Sequence, residues 1–273
     1  MRLINQVPRR FTAVLLGALP FVALIVAYAV GSAVRRAENP ADKLLPSLGA
    51  IADAFGRLAF EADRRSGDYL LWTDTAASLE RLAIGMGISA AMALLVGIGV
   101  GFIPKVRATL APFVAACSLI PPITVLPILF IVFGLGEAAK IALIVVGTGL
   151  VMIRAMSQAV AEIPTEQIVK AQTLGASTVQ MIVRVVLPQV LPKLIMAARL
   201  GLVPAWIFLI SAEAIASTEG LGYRIFLVRR YLAMDVILPY VAWITVIAFL
   251  LDRLLLWTSR RLFGWAHTEG GGL

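Results

Sequence analysis

Few residues in this chain could do chemistry, and their types and spacing argue against catalysis. One cysteine, Cys117, and one histidine, His267, provide neither an internal disulfide nor a zinc or haem ligand set. No Gly-x-x-x-x-Gly-Lys-Ser/Thr loop is present to cradle a nucleotide phosphate, so the chain cannot itself be an ATPase. No pair of His, Cys, Asp or Ser in its apolar stretches makes a catalytic set. Two features remain. Glu213 is an ionisable group near the end of a long apolar run, which points to a pathway or gate, or else to a carboxylate reaching water at a membrane edge. Pro112, Pro121, Pro122 and Pro127 interrupt another apolar run, each removing a backbone donor and crowding the preceding turn. Broken helices at membrane depth persist where protein or a watery cavity satisfies the freed carbonyls. The Ile120–Pro127 stretch is therefore expected to face the centre of an assembly, the alternative being a kinked packing helix. Trp206, Phe208 and Trp243 are candidates to line a cavity there or simply to pack.

The elements that would position these residues follow from composition. Of 273 residues, 60% are hydrophobic and 15% charged, with a mean hydropathy of +0.92. A water-soluble fold of this length would be left with aggregating apolar surface, so the bilayer is the solvent. In a membrane chain the net charge of +8 reflects orientation and anionic headgroups rather than nucleic acid. Runs of the length a bilayer requires predict an all-α protein with six transmembrane helices: Phe11–Val34, Leu82–Ile103, Ala108–Phe133, Ala139–Met156, Leu194–Ala216 and Val236–Trp257. The first is too long for the core of a cleaved signal and reads as a retained anchor, although Ala29, Gly31 and Ala33 would suit a cleavage site.

Around these spans the chain divides into an inner amino terminus (1–10), the first span (11–34) and an outer segment (35–81). A five-span core (82–257) with an inner loop (157–193) and an inner tail (258–273) completes it. Within the outer segment, Leu48, Ile51, Ala52, Phe55, Leu58 and Ala59 fall at helical spacing, which predicts an amphipathic helix on the membrane surface or on the bundle's end. With the amino terminus inside, inner segments hold 13 Lys and Arg against 11 outside. In the second span Gly85, Ser89, Ala93, Gly97 and Gly101 recur every fourth residue. Such a stripe lets another backbone approach closely, for packing within the bundle or for a gate or dimer contact. Outer-side Arg224, Arg229 and Arg230 read as a solvated basic loop, with attraction of an anion or a binding protein as the alternative.

The loop 157–193 is the most patterned segment. Pro164 suits a first helical position, Ile168, Ala171 and Leu174 share a face, and Gly175 is a natural stop. Ser177 and Gln180 then form a capping box opening a second helix, Thr178–Leu187, expected to end at Pro188. Two short helices meeting at a glycine make a rigid surface element fit for docking.

Here the chain resembles a known family. Glu166-Gln-Ile-Val-Lys-Ala-Gln-Thr-Leu-Gly-Ala-Ser177, followed by Arg184-Val-Val-Leu-Pro188 and Leu191-Pro192, is similar to the EAA loop of bacterial ABC importer permeases. Leu45-Pro46-Ser47, the proline series leading to Phe133-Gly-Leu-Gly136, and Ala212-Glu213 leading to Gly220-Leu-Gly-Tyr223 resemble its nitrate, sulfonate, taurine and bicarbonate branch. The resemblance implies a type I permease with six spans and both termini cytoplasmic, in the bacterial inner membrane. It also implies a homodimer with the pathway on its axis, two ABC ATPase subunits carrying ATP-Mg, and an extracytoplasmic substrate-binding protein. No cofactor is expected on this chain. The expected ATPase-coupling residues are Glu166, Lys170, Ala171, Leu174, Gly175, Ala176, Leu187 and Pro188, and the pathway candidates are Pro121, Pro122, Pro127, Trp206 and Glu213. One departure stands out: the family's Glu-Ala-Ala falls on Val169, Lys170 and Ala171, so the acid is missing and the loop must be ordered otherwise. The expected cargo is a small anion, with a neutral or cationic nitrogen compound or a vitamin precursor as the alternative within the family. An ion-coupled secondary transporter relying on Glu213 is the alternative outside it.

Overall fold

A computed structural model describes residues 9–39, 42–64 and 66–267. Most of the expected inner amino terminus (1–10) and the end of the expected inner tail (258–273) lie outside these residues. Every regular element among the described residues is helical. The helices are α1 (Arg10–Glu38), α2 (Leu48–Phe60), α3 (Leu70–Phe102), α4 (Pro104–Cys117) and α5 (Pro122–Phe133). They continue with α6 (Glu137–Ala161), α7 (Thr165–Thr173), α8 (Thr178–Ile215), α9 (Leu221–Arg229) and α10 (Met234–Leu262), ending in a 3-10 turn at Gly264–His267. They fall into two compact units, the described part of 1–69 with 228–241, and 70–227 with 242–267.

In the first unit, α1 exposes apolar side chains all round, Phe11 and Leu24 among them. Its last turns are tied to the following loop. Tyr28 donates to the Pro46 carbonyl at 2.8 Å, and Ser32 donates to those of Leu45 and Pro46. Ser47 then caps α2 by accepting the Ala50 amide, and the predicted helix forms over Leu48–Phe60.

The second unit is built on α6, whose glycines and small neighbours admit α3 and α8. The stripe on α3 faces α6 in fixed register. A Cβ added at Gly85 would lie 2.7 Å from Ile144, at Gly97 2.6 Å from Met156, and at Gly101 2.5 Å from Val160, while Ser89 shares a 2.8 Å hydrogen bond with Thr148. Both numbers rise together, so α3 and α6 run parallel. Residues four apart overshoot one helical turn by about 40°, so a straight α-helix would carry a five-member stripe away from its partner. The π-helical turn Ala93–Gly97 inserts a wide turn within the stripe and brings Gly97 and Gly101 back. On its other side, Gly147 of α6 receives the Phe208 ring of α8.

Two spans depart from expectation. The predicted third span is not one helix: α4 and α5 meet at 97° around Ser118–Pro121. Pro121 and Pro122 sit at the start of α5, where a missing amide costs nothing, whereas Pro112 and Pro127 are carried inside α4 and α5. The pair still crosses the bundle. Because α3 and α6 are parallel, the chain enters α4 at the end of α3 and must leave α5 at the opposite end, where α6 begins.

The predicted stop at Pro188 is also overturned, since α8 runs unbroken from Thr178 to Ile215. A π-helical turn at Ile182–Val186 explains it. The Leu187 amide bonds the Ile182 carbonyl five residues back, which widens the turn where the Pro188 ring would otherwise crowd the chain.

Candidate functional site

At the end of the bundle where α3 and α6 begin and α8 finishes, charged groups are buried together. Glu213 is 0% exposed, so the expected water-reaching carboxylate is instead fully enclosed. It accepts from Arg81 Nη1 at 2.7 Å, from the Ser78 hydroxyl at 2.8 Å and from the Gly222 amide at 2.8 Å. Arg81 also chelates Glu137, which in turn accepts from Lys140 at 2.7 Å. Asp74, equally buried, accepts from the Gly220 amide at 2.9 Å and from Arg224 Nε at 2.8 Å.

The chain segment 216–222 is pinned by this network, and Gly220 has φ +120 with the Glu213 carboxylate where a side chain would be. Only glycine fits there. A carboxylate shared among three donors in this way clasps the returning segment to α3. Arg224, expected on a solvated loop, is instead spent on Asp74.

Spacing alone did not reveal Arg81, Asp74, Ser78 or Lys140. Arg81 and Glu213 are 132 positions apart. Charges at 74, 80 and 81 ended the apolar count and placed α3's first turns outside the span. An arginine one residue before an apolar run, with a lone acid in another run, was the available signal.

Midway along the bundle, the proline break opens onto an apolar cavity of about 330 Å³. Ile120 and Pro122 from the break, Val151 of α6 and Leu200, Pro204 and Phe208 of α8 line it. Of the pathway candidates, only Pro122 reaches this cavity. Pro121 is exposed at the break and Pro127 on α5. Trp206 is buried on α8, its Nε1 without a hydrogen-bond partner among the described residues. Trp243 donates to Thr75 at 2.9 Å and packs edge-on against Trp72.

The opposite end carries the loop. Pro164 precedes α7 as its cap rather than occupying the first helical position. At the close of α7 the Gly175 amide bonds the Gln172 carbonyl and the Ala176 amide that of Ala171, with Gly175 at φ +76. These two bonds define a Schellman stop. Ser177 and Gln180 then make the predicted capping box. Amide and ion-pair side-chain contacts brace the loop. Gln189 of α8 donates to Gln167 of α7 at 2.9 Å, and Lys193 bonds Glu162 at 2.6 Å. That hydrogen bond holds the Glu162 carboxyl below its usual range.

The expected coupling residues Glu166, Lys170, Ala171, Leu174, Gly175 and Ala176 lie on α7 and its stop, whereas Leu187 and Pro188 belong to the shaft of α8. Leu174 is 80% and Val179 69% exposed, an apolar tip on a braced element.

Residues 83–264 match the family described as binding-protein-dependent transport system inner membrane component. The chain is 38% identical over 202 residues to the taurine transport system permease protein TauC of Escherichia coli (strain K12), spanning 74% of this chain and 73% of that one. Identity is 30% over 200 residues to the bicarbonate transport system permease protein CmpB of Synechococcus elongatus, 72% of each chain. With the putative aliphatic sulfonates transport permease protein SsuC of Bacillus subtilis it is 27% over 194 residues, 71% and 70% of the two chains. Among solved structures, a chain of the MetNI methionine ABC transporter in an inward-facing conformation superposes with a TM-score of 0.61 at 23% identity. That match covers 73% of this chain and 97% of the other, and it shows a shared fold.

Proposed function

Since this chain belongs to the family of binding-protein-dependent transport system inner membrane components, as a multi-pass permease subunit of an ABC importer, we propose that it passes a small anion of the sulfonate, nitrate or bicarbonate kind. It works as a homodimer, with the cavity at the proline break beside the pathway. An extracytoplasmic binding protein delivers the anion to the end holding the Arg81–Glu213 clasp. Two ATPase subunits dock at the opposite, cytoplasmic end, so both termini are cytoplasmic. The ATPases hold ATP-Mg, and this chain is a transport component rather than an enzyme.

The observation that carries this reading is the α7–α8 corner. A Schellman stop and a capping box meet at Gly175–Ser177, side-chain contacts brace the corner, and it offers Leu174 and Val179 to a partner. Because α8 continues from this corner past the cavity to Glu213, a push on the corner is transmitted along one continuous helix. Closure of the ATPases would thereby tilt α8 against the broken α4–α5 pair and alternate access.

The test is uptake of labelled taurine, nitrate and bicarbonate by proteoliposomes holding the permease, its ATPase and its binding protein. Uptake of one of them that requires ATP and a hydrolysis-competent ATPase is expected. Uptake that persists without the ATPase, driven by an ion gradient, would overturn the reading.

A further inference from the structure

A second cavity, also about 330 Å³, continues below the first along the same two helices. On α4 its wall passes from Ala111, Val114 and Ala115 to the Cys117 and Ser118 that open the upper cavity. On α6 it passes from Ala161 up through Ser157 and Arg154 to the Met152 and Val151 of the upper one. The character changes between them. The upper chamber is apolar, whereas the lower is walled by two arginines, Arg107 and Arg154, and none of its lining residues is acidic.

The two arginines differ in their partners. Arg107 is spent in part, its Nε bonding the Val100 carbonyl at 3.0 Å and its Nη2 that of Gly101, so it caps the end of α3. The Arg154 guanidinium has no hydrogen-bond or ion-pair partner among the described residues. It sits seven residues before the last residue of α6, about 10 Å in from that end of the helix at 1.5 Å per residue. A guanidinium with no protein partner on a cavity wall is open to water or to an anion. Val151, Arg154, Ala155 and Gln158 form the exposed stripe of an otherwise heavily buried helix, so the arginine lies on the face that connects the two chambers.

We propose that the lower cavity is an anion-binding station, in which Arg154 holds the oxyanion group of the transported solute as it leaves the apolar chamber toward the cytoplasm, with Arg107 adding positive field. This rests on the reading of the chain as an anion permease. The planar guanidinium offers paired N–H donors that match a sulfonate, carboxylate or nitrate edge. An apolar chamber followed by a cationic one moves an anion forward, because desolvation in the first is relieved in the second. The same chemistry would also hold the phosphate of an anionic lipid, and the experiment separates these two sources.

The full-length chain is placed in nanodiscs of pure phosphatidylcholine and titrated with methanesulfonate against potassium chloride at equal ionic strength, with thermal unfolding as the readout. A rise in midpoint with methanesulfonate is expected for the wild type. Arg154→Gln should abolish it or move the half-saturating concentration up about tenfold, the loss of a hydrogen bond to a charged group, and Arg154→Lys should retain part of it. An equal rise in Arg154→Gln overturns the proposal, as does no rise in the wild type. A rise produced only by adding phosphatidylglycerol to the disc also overturns it, assigning the site to a lipid headgroup. No ATPase or binding protein is needed here, so this result stands apart from the uptake test of the anion-permease reading.

Discussion

The two ends of the bundle handle charge in opposite ways. Where α3 and α6 begin, Arg81, Lys140 and Arg224 are each satisfied by Glu137, Glu213 or Asp74, largely out of water, and the segment 216–222 is laced to them. At the other end Arg154 is unpaired, Lys193 and Glu162 pair in the open, and the α7–α8 corner projects apolar side chains. One end is closed upon itself and holds the helices in register. The other leaves Arg154 unpaired and its apolar tip exposed. A lever needs such an asymmetry: a buried clasp at one end of α8 and a projecting, braced corner at the other.

The largest effect that would break this comparison is at the clasp. Arg81→Met leaves Glu137 and Glu213 facing each other without their shared cation, and removing one member of a buried pair costs about 3–5 kcal/mol. A lower unfolding midpoint and reduced membrane yield are expected, whereas Arg184→Met, on an exposed face of α8, should leave both unchanged. Next is the α3–α6 seam, which joins the two ends. Gly97→Val forces a side chain into Met156, and overpacking of this kind costs about 1–3 kcal/mol. Gly87→Val on the same helix meets nothing within 4 Å and should be tolerated by the same thermal assay.

The smallest effect is at the loop. The Glu162 carboxyl is held low in the folded chain by Lys193, so its contribution to stability is present above the ordinary carboxylate pKa and is lost as pH falls through the folded value. Because the pair is exposed, Glu162→Gln should move the neutral-pH midpoint only slightly and flatten its acid-side slope. A shift as large as that of Arg81→Met would erase the contrast between the ends.

Much of the scaffold was legible in the sequence because its signals are local. Apolar length marked the crossings, a four-residue rhythm of small side chains marked the α3–α6 seam, and Ser177 with Gln180 marked the start of α8. The rest depended on information that is not local. Nothing near Glu213 tells whether it reaches water. Its enclosure comes from Ser78, Arg81 and the returning segment at Gly222, which only the folded bundle brings together. Pro188 misled for a related reason: a proline's effect depends on the turn before it, and a π-helical turn absorbs it. The bend of 97° was visible as prolines but not as an angle. On the loop, the bracing contacts of Gln167, Gln189, Glu162 and Lys193 were not legible, because three of these residues lie outside the Glu166–Ser177 stretch.

On the coupling proposed above, ATPase closure reaches the spans through the corner at Gly175, and that residue can be altered without a clash. Its φ of +76 disfavours any side chain, and a β-branched one most, yet an added Cβ meets nothing within 4 Å, so substitution alters the corner's backbone without a clash. ATP-driven uptake should therefore be compared for wild type, Gly175→Ala and Gly175→Val in proteoliposomes carrying the permease, its ATPase and its binding protein, at matched permease content. Uptake is expected to fall in that order and to be abolished in Gly175→Val, although the variant remains in the membrane. Normal uptake by Gly175→Val, with the ATPase still stimulated, would contradict that coupling.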